Sequence, residues 1–470
     1  MDTTQTATLR EIKDLPGPRP WPLVGNVLSL KPLRIHQDME NLARRYGKVF
    51  RVFFGRRAIL VIADHQQVSA VLRDRPERFR RPTTTATVSR EMGGTPGLFL
   101  AEGVQWRNQR RMVMAGFSPG AIRAYFPSLV KVATRLEKRW QKASQSGATI
   151  NLDTDLKRYT VDVIAGLAFG TEVNTLESGE DVIQQYLDDI LPAVARRSLS
   201  LFPYWRYFKL PRDRRLDRSS KAMREAVNDL IVQARARLEA DPERRAKPSN
   251  LLEAMIVAAD TKESGVNDDD VAGNVSTMLL AGEDTTANTI SWLIYLLHQN
   301  PATLAKAREE VRRLAPNCAA FTIEQMDSLH YLEACISETM RLKPVAPFMP
   351  LEATKDTEIA GVRVPKGTIV WNTFRHDTVD EAYFPNAHQF SPERWPTEHA
   401  RVSMPFGSGP RTCPGRYLAL LEIKIAMAML LGSFEVQAVT TPDGGEAKEL
   451  MAFVMSPIGL NMRLMKKADI

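Results

Sequence analysis

The stretch GKVFRVFFGRRAILVIAD, Gly47 to Asp64, alternates Val, Phe and Ile with polar residues on both sides of Gly55-Arg56-Arg57. A period of two broken at a glycine predicts a β-hairpin. A second zone of the same kind, EIAGVRVPKGTIVW from Glu358 to Trp371, is again bent at a glycine. Nearly everything between the two has helical spacing, with no fixed-period repeat and no evident linker. The pattern predicts a mainly α protein with a smaller β-rich part, a single domain over residues 1–470. Its proline-rich lead-in, residues 1–30, includes LPGPRPWPLVGN, Leu15 to Asn26, whose prolines favour extended backbone over helix.

The most informative helix runs from Asn267 to Gln299. Asn267 with Asp268, Asp269 and Asp270 supplies a cap and an acidic first turn, and Asn300-Pro301 stops the run. About 30 residues at ~1.5 Å each make a rod of about 45 Å, long enough to cross a domain of this size. Its middle reads AGEDTTANT, Ala281 to Thr289, which is too polar for a helix buried on every side. Such mid-helix departures often mark functional sites.

Composition narrows the picture only a little. The 470 residues are 44% hydrophobic, and 63 Lys+Arg against 55 Asp+Glu give a formal charge of +8. Arginines are spread along the chain, so the excess does not identify nucleic acid as a partner. Cys318, Cys335 and Cys413 form no Cys-x-x-Cys pair, which fits a reducing compartment. The first 30 residues contain neither a signal-peptide core nor an apolar run of roughly 20 residues, so a soluble, cytoplasmic protein without a membrane span is expected.

Chemistry concentrates at PFGSGPRTCPG, Pro405 to Gly415. A lone thiolate can be a nucleophile, a zinc ligand or the axial ligand of a haem. No histidine follows Cys413 and the nearest before it is His399, so the sequence offers no local partner for the first two roles. Glycines at 407, 409 and 415 would let backbone approach a flat macrocycle, and Arg411 could pair with a propionate. The apolar run after Pro414 predicts a buried helix, with Pro414 at its first position and Cys413 at its N-terminus, where the dipole stabilises a thiolate.

Phe406, Gly409, Arg411, Cys413 and Gly415 stand at Phe-x-x-Gly-x-Arg-x-Cys-x-Gly, which resembles the haem-binding signature of the cytochrome P-450 superfamily. Other segments resemble the family in the same order. SETMRL sets Glu338 and Arg341 at i and i+3, and FSPERW supplies Arg394, like the family's Glu-x-x-Arg helix and the arginine that joins it. AGEDTT resembles the oxygen-activating stretch of the long central helix. GVQWRNQRRMVMAGFSP resembles the helix along the haem edge, with Trp106 and Arg110 on one face. One departure stands out: where many members carry a propionate-pairing arginine, this chain has Leu351.

The resemblance implies haem b (heme b, iron protoporphyrin IX) with Cys413 as the axial thiolate and metal ligand. Phe406, Gly409, Arg411 and Gly415 would shape that loop, Trp106 and Arg110 would hold propionates, and Ala281 and Gly282 would lie over the iron, Gly282 leaving room for O2. Catalysis would fall to Asp284 as proton relay and Thr285 as the alcohol that holds a water. Glu338, Arg341 and Arg394 would be a structural triad. The activity implied is insertion of one atom of O2 into a hydrophobic small molecule. A non-catalytic haem-thiolate sensor or carrier, or an isomerase or peroxygenase of the same fold, is the alternative, against which the acid–alcohol pair argues.

Pocket walls implied by the resemblance are Leu98, Phe99, Leu280, Val345, Phe348, Met349 and Phe453, all apolar. The segment SLFPYWRYFKLPRDRRLDR, Ser200 to Arg218, interleaves aromatic and basic residues, and is read as a substrate-entry lid with a solvated basic flank. With the whole length used by one haem domain, electrons would come from an external ferredoxin or flavodoxin-type donor with its reductase. Arg107 and Arg111 are placed to help dock it.

Overall fold

Asn267 begins the longest helix by a reciprocal cap: its side chain accepts from the Asp270 amide while the Asp270 carboxylate accepts from the Asn267 amide. The helix then runs without a break from Asp268 to Gln299 in the structure, a computed structural model that describes residues 9–170, 173–178, 182–395 and 401–466. The first eight residues of the lead-in lie outside the described residues. Thr277, Thr285 and Thr289 each turn the hydroxyl back onto the carbonyl four residues earlier, so the polar middle is accommodated inside a regular helix.

The chain falls into two compact units: the first comprises Met1–Thr85, Ala346–His388 and Glu398–Thr412, the second Ala86–Val345, Gln389–Thr397 and Cys413–Ile470. The first is built on a five-stranded sheet whose strands are β1 (Val49–Phe54), β2 (Arg57–Ile62), β3 (Phe79–Arg80), β4 (Phe348–Ala353) and β5 (Ile369–Thr373), in the spatial order β1-β2-β5-β4-β3. β1 and β2 form the hairpin predicted around Gly55, with Val49 opposite Ile62. The second strand zone forms as well: Thr357–Ile359 pairs antiparallel with Val362–Val364 across the Ala360-Gly361 turn, and Arg10–Glu11 adds a parallel edge. Leu60, Ile62, Val68, Leu72, Leu351 and Val370 close the core of this unit.

The second unit is helical. It contains α1 (Gly103–Gly116), α2 (Leu152–Phe169), α3 (Val182–Ser198), α4 (Pro211–Ala240), the central helix α5 (Asp268–Gln299), α6 (His330–Leu342) and α7 (Arg416–Ser433). α2 lies along α5, and α6 and α7 also pack against it. The protein is about 58% helical, so the mainly α reading with a smaller sheet part holds.

Within the first unit, one buried carboxylate gathers hydrogen-bond donors from three segments. Asp377 accepts from Lys48 Nζ at 2.8 Å, from the His65 amide at 2.9 Å and from the Nδ1 atoms of His65 and His376 at 2.8 and 3.0 Å. Burial pushes its carboxyl up, but the bonds from His376, Lys48 and His65 outweigh that and hold it well below the usual carboxylate range. Because the folded-state pKa is depressed, the stabilisation is complete above the unfolded value of about 3.9 and is lost as pH falls through the folded value. Asp377→Asn is therefore expected to cost about 2–3 kcal/mol at neutral pH. The deficit should shrink on acidification, which urea unfolding at several pH values would measure. A deficit that stays constant with pH would exclude the carboxylate as its source.

Candidate haem-thiolate site

Three cysteines compete for the role of thiolate, and their surroundings separate them. Cys318 is buried, and burial followed by the nearby charge of Glu137 pushes its thiol up to about 12. Cys335 is also buried, raised by burial and then by Glu310, Glu393 and Glu338. Cys413 is exposed at its surface yet sits deep enough for desolvation to be the largest influence on it. Opposing that, the Gly415 amide hydrogen-bonds to it and Arg110 and Arg416 bring positive charge. Desolvation prevails and its thiol too lies above the ordinary value, yet it has cations beside it, the surroundings that a thiolate ligand needs.

The loop geometry corrects two readings of the sequence. Helix α7 starts at Arg416 with Gly415 as its cap residue, so Pro414 lies in the preceding turn and is not the first helical residue. Pro414 still withholds an amide from the sulfur, and the amide that reaches it is the next one, Gly415. Gly409, with φ of 73°, would place a Cβ 2.7 Å from the Arg73 Cα, so its missing side chain serves close packing on the His65–Arg73 helix. Phe406, Gly409 and Arg411 belong to the first unit, whereas Cys413 and Gly415 belong to the second.

α1 carries Trp106 inward and Arg110 half-buried beside Cys413. Burial draws the Arg110 pKa down and the neighbouring Cys413 pushes it back up. Arg107 and Arg111 emerge on the exposed side of the same helix. Gln109, fully buried between them, binds the Asp270 carboxylate at 2.6 Å and the Pro96 carbonyl at 3.1 Å, fixing α1 against the start of α5. Leu351 is completely buried in the first unit's core, so the position that departs from the family pattern is a packing residue here.

Halfway along α5 the burial pattern opens. Ala281 is exposed and Gly282, Asp284 and Thr285 are half-buried, although the following residues from Thr286 to Tyr295 are all buried. Ala281 and Thr285 share a face, one turn apart, and the Thr285 hydroxyl donates to the Ala281 carbonyl at 2.7 Å. Gly282 points elsewhere. A Cβ there would come 2.4 Å from Ile164 Cδ1 of α2, so this glycine permits close helix packing and does not supply the open space expected of it.

Asp284 faces α2, where Lys157 Nζ lies 3.5 Å away. The same ammonium is 3.4 Å from Asp153 and 3.2 Å from Asp188 of α3. Burial raises the Asp284 pKa and Lys157 opposes it, while Asp153 and Asp188 add to the rise; the net result lies above the ordinary carboxylate value. Lys157 is in turn raised, since its surrounding carboxylates outweigh the effect of burial. No spacing pattern marks this lysine, because its relation to Asp284 is tertiary.

Of the pocket-wall residues of the second unit, Phe99 and Phe453 meet, at 6.1 Å between ring centroids. The Leu98 amide donates to Asn274 Oδ1 of α5 at 2.9 Å, and the Met455 amide donates to the Val345 carbonyl. Leu280 is half-buried on α5. Phe348 and Met349 belong to the first unit, where Phe348 stacks on Trp371 at 4.2 Å and the Met349 sulfur accepts from Arg75.

The Glu338 carboxylate, on α6, is wholly enclosed. It accepts two bonds from Arg341, each 2.8 Å, and one each from Arg394 Nε, the Ser391 amide and Trp395 Nε1 at 2.9, 2.9 and 3.0 Å. Arg341 continues to the Gln389 carbonyl at 3.1 Å. Trp395 and Ser391 are members of this cluster that the Glu-x-x-Arg spacing alone did not reveal.

A single thiol between cations, a long helix opened at an acid–alcohol pair and a buried Glu-Arg-Arg cluster together define a haem-thiolate protein. The sequence profile of the Cytochrome P450 family matches residues 15–463, and the chain belongs to that family. It is 26% identical to Cytochrome P450 3A6 of Oryctolagus cuniculus over 452 residues, covering 92% of this chain and 87% of that protein. It is 28% identical to Cytochrome P450 3A29 of Sus scrofa, over 89% and 85% of the two chains, and 27% identical to Cytochrome P450 3A5 of Homo sapiens, over 92% and 87%. The family binds haem through a cysteine thiolate, and its members are monooxygenases.

Glu338→Gln should destabilise the protein by about 3–5 kcal/mol, because it leaves the fully buried Arg341 guanidinium without its counter-charge. Lys306→Ala, which breaks the exposed pair with Glu393, should change stability by no more than about 0.5 kcal/mol. Denaturant unfolding of both variants tests the contrast, and equal losses would contradict it.

Proposed function

We propose that the chain, acting over residues 1–470 as one haem-thiolate domain, inserts one atom of O2 into a hydrophobic small molecule by hydroxylation or epoxidation. The observation that carries this reading is the opened middle of α5, where Thr285 faces the exposed side and Asp284 is raised toward protonation near an ammonium with solvent-exposed partners. A sensor or carrier has no use for such a pair.

Cys413 would hold the iron, with Arg110, Trp106 and Arg411 on the propionates and Phe406, Gly409 and Gly415 shaping the thiolate loop. Ala281, the exposed residue of that stretch, would border the opposite face, while Gly282 packs on α2. When bound, the haem supplies a centre at which O2 takes up two electrons and two protons, one oxygen atom leaving as water and the other entering the substrate. The residues of this chain supply the protons and the enclosure. Asp153 and Asp188, each about half exposed, flank Lys157, which contacts Asp284 and so links it to the solvent side. A carboxyl whose pKa is raised toward neutrality is protonated more of the time and still gives its proton up, which suits a relay. Thr285, whose own O–H is committed to Ala281, keeps lone pairs free to hold a water that receives that proton. Leu98, Phe99, Leu280, Val345 and Phe453 would give the substrate an apolar surround and exclude bulk water.

The reduced protein exposed to carbon monoxide should show the red-shifted Soret band of thiolate ligation, and Cys413→Ala should lose it. Thr285→Ala should keep that band and the spectral response to ligands while diverting electrons to hydrogen peroxide. Unchanged coupling of electrons to product would remove the role given to Thr285.

Electrons would come from an external acidic ferredoxin or flavodoxin in the cytoplasm, docking with help from the exposed Arg107 and Arg111. Reduction by such a donor should slow at least several-fold as ionic strength rises from about 0.05 to 0.5 M. A rate indifferent to salt would exclude a charge-guided encounter.

A further inference from the structure

An acidic stretch of α3 lies against a basic stretch of α4 in the second unit. The opening turns of α4, Pro211 to Arg224, carry six Lys and Arg against Asp213 and Asp217, while α3 presents the consecutive carboxylates Asp188 and Asp189. Their contacts fix the direction of packing. Arg197 pairs with Asp213 at 2.8 Å, and Asp189, earlier on α3, accepts from Arg215 Nε at 2.9 Å and from Ser219 Oγ at 2.7 Å. Falling numbers on α3 meet rising numbers on α4, so the two helices are antiparallel.

Between them lies a cleft of about 480 Å3, walled by Tyr186 and Asp189 of α3 and by Arg215, Arg218, Ser219 and Ala222 of α4. Such a volume suits a small organic molecule and exceeds what a bare inorganic anion fills. Its two ends differ in chemistry. At one, Arg215 and Arg218 stand at i and i+3, neighbours on one face of α4 with Cβ atoms about 5–6 Å apart. Asp189 engages only the Nε of Arg215 and is itself steadied by Ser219, which leaves the outer nitrogens of that guanidinium for a further acceptor. Arg218 is exposed and has no hydrogen bond or ion pair among the described residues. The neighbouring carboxylates are spent elsewhere, Asp217 on Lys209 and Asp188 on Lys157. The cleft therefore keeps a positive charge at this end.

The other end is apolar. Ala222 lies one turn beyond Arg218 on α4 and Tyr186 one turn before Asp189 on α3, positions that antiparallel packing brings to the same level. The walls there are a half-buried aromatic ring and a half-buried methyl group. From Arg215 to Ala222 the helix rises about 10 Å at ~1.5 Å per residue, so the charged and apolar ends stand apart by the length of a small two-ring molecule.

We propose that this cleft binds a small organic carboxylate with a flat apolar body, the carboxylate held by Arg215 and Arg218 and the body lying along Tyr186 and Ala222. Paired guanidiniums select an anion, and the planar, two-oxygen carboxylate matches their forked donors. An inorganic anion would leave the apolar end uncovered, and the ring of Tyr186 favours a flat aromatic neighbour. The site is separate from Cys413 and from the opened stretch of α5. Asp189 turns to α4, whereas Asp188 beside it turns to α2, where Lys157 contacts Asp284. Binding at the cleft does not depend on the oxygenase reading.

Equilibrium dialysis of 2-naphthoate against the haem-loaded full chain at neutral pH, with the iron capped by saturating 4-phenylimidazole, tests it. One equivalent of naphthoate should bind per chain, and the neutral 2-naphthamide should bind about fivefold more weakly or worse. Arg218→Ala, which removes the free guanidinium, should lower naphthoate affinity by about fivefold or more. Ala222→Leu keeps every charge but fills the apolar end, and should lower it by a similar factor with circular dichroism unchanged. Arg218 is exposed and Ala222 half-buried, and should one variant fail to fold the other still decides. Absence of saturable binding overturns the proposal, as does equal affinity for the acid and the amide. Full affinity in a folded variant does the same. So does loss of binding when 4-phenylimidazole is added, which would assign naphthoate to the haem pocket.

Discussion

A carboxylate with no exposed surface, Glu338, is the interaction on which the second unit's proximal segments depend. Such a charge is tolerated only if enough donors replace its water, and here five hydrogen bonds from Arg341, Arg394, Ser391 and Trp395 converge on its two oxygens. The chain cannot satisfy that carboxylate in pieces. Losing any one partner strands a buried charge or a buried donor, so α6 and the segment Gln389–Trp395 are held in one mutual arrangement. The gain is uniqueness of position more than net stability, because an apolar cluster of equal volume would also have packed.

A different electrostatic logic operates where chemistry is expected. The cysteines show it most clearly. Cys318 and Cys335 sit among carboxylates in closed core and are kept as neutral thiols, while Cys413 has the Gly415 amide, Arg110 and Arg416 working against its desolvation. Burial raises all three thiols, and the cations beside Cys413 are what set it apart from the other two. Asp284 follows a third pattern: burial raises it, Lys157 restrains it, and the rise prevails.

Much of this was legible in the residues. The central helix was visible to within a residue because its start and stop are local, written in the Asn267 cap and in Asn300-Pro301. The hairpin around Gly55 was legible for the same reason. Motif order pointed to Glu338, Arg341 and Arg394 before their bonds were seen. What could not be read are relations between distant segments. Gly282 and Gly409 are both small because another helix passes close by, Ile164 in one case and Arg73 in the other, and nothing in AGEDTT or GSGPR names those neighbours. Pro414 looked like a helix start because proline favours that position, yet an added turn at Gly415 delays the helix by two residues. Lys157 and Trp395 were missed since a lone lysine and a lone tryptophan carry no spacing signal.

The opened middle of α5 shows how one helix holds two functional groups under separate control. Thr285 is positioned by its own helix, through the bond to Ala281 one turn back, and needs no outside element. Asp284, the neighbouring residue, points about 100° away around the axis and is governed by charges on α2 and α3. One ammonium, Lys157, is shared among carboxylates from three helices, so its hold on Asp284 depends on where Asp153 and Asp188 stand. α3 leads directly into the basic, aromatic segment that begins at Arg196. Any displacement of that helix alters the charge around Lys157, and so around Asp284, while Thr285 is held by its own helix.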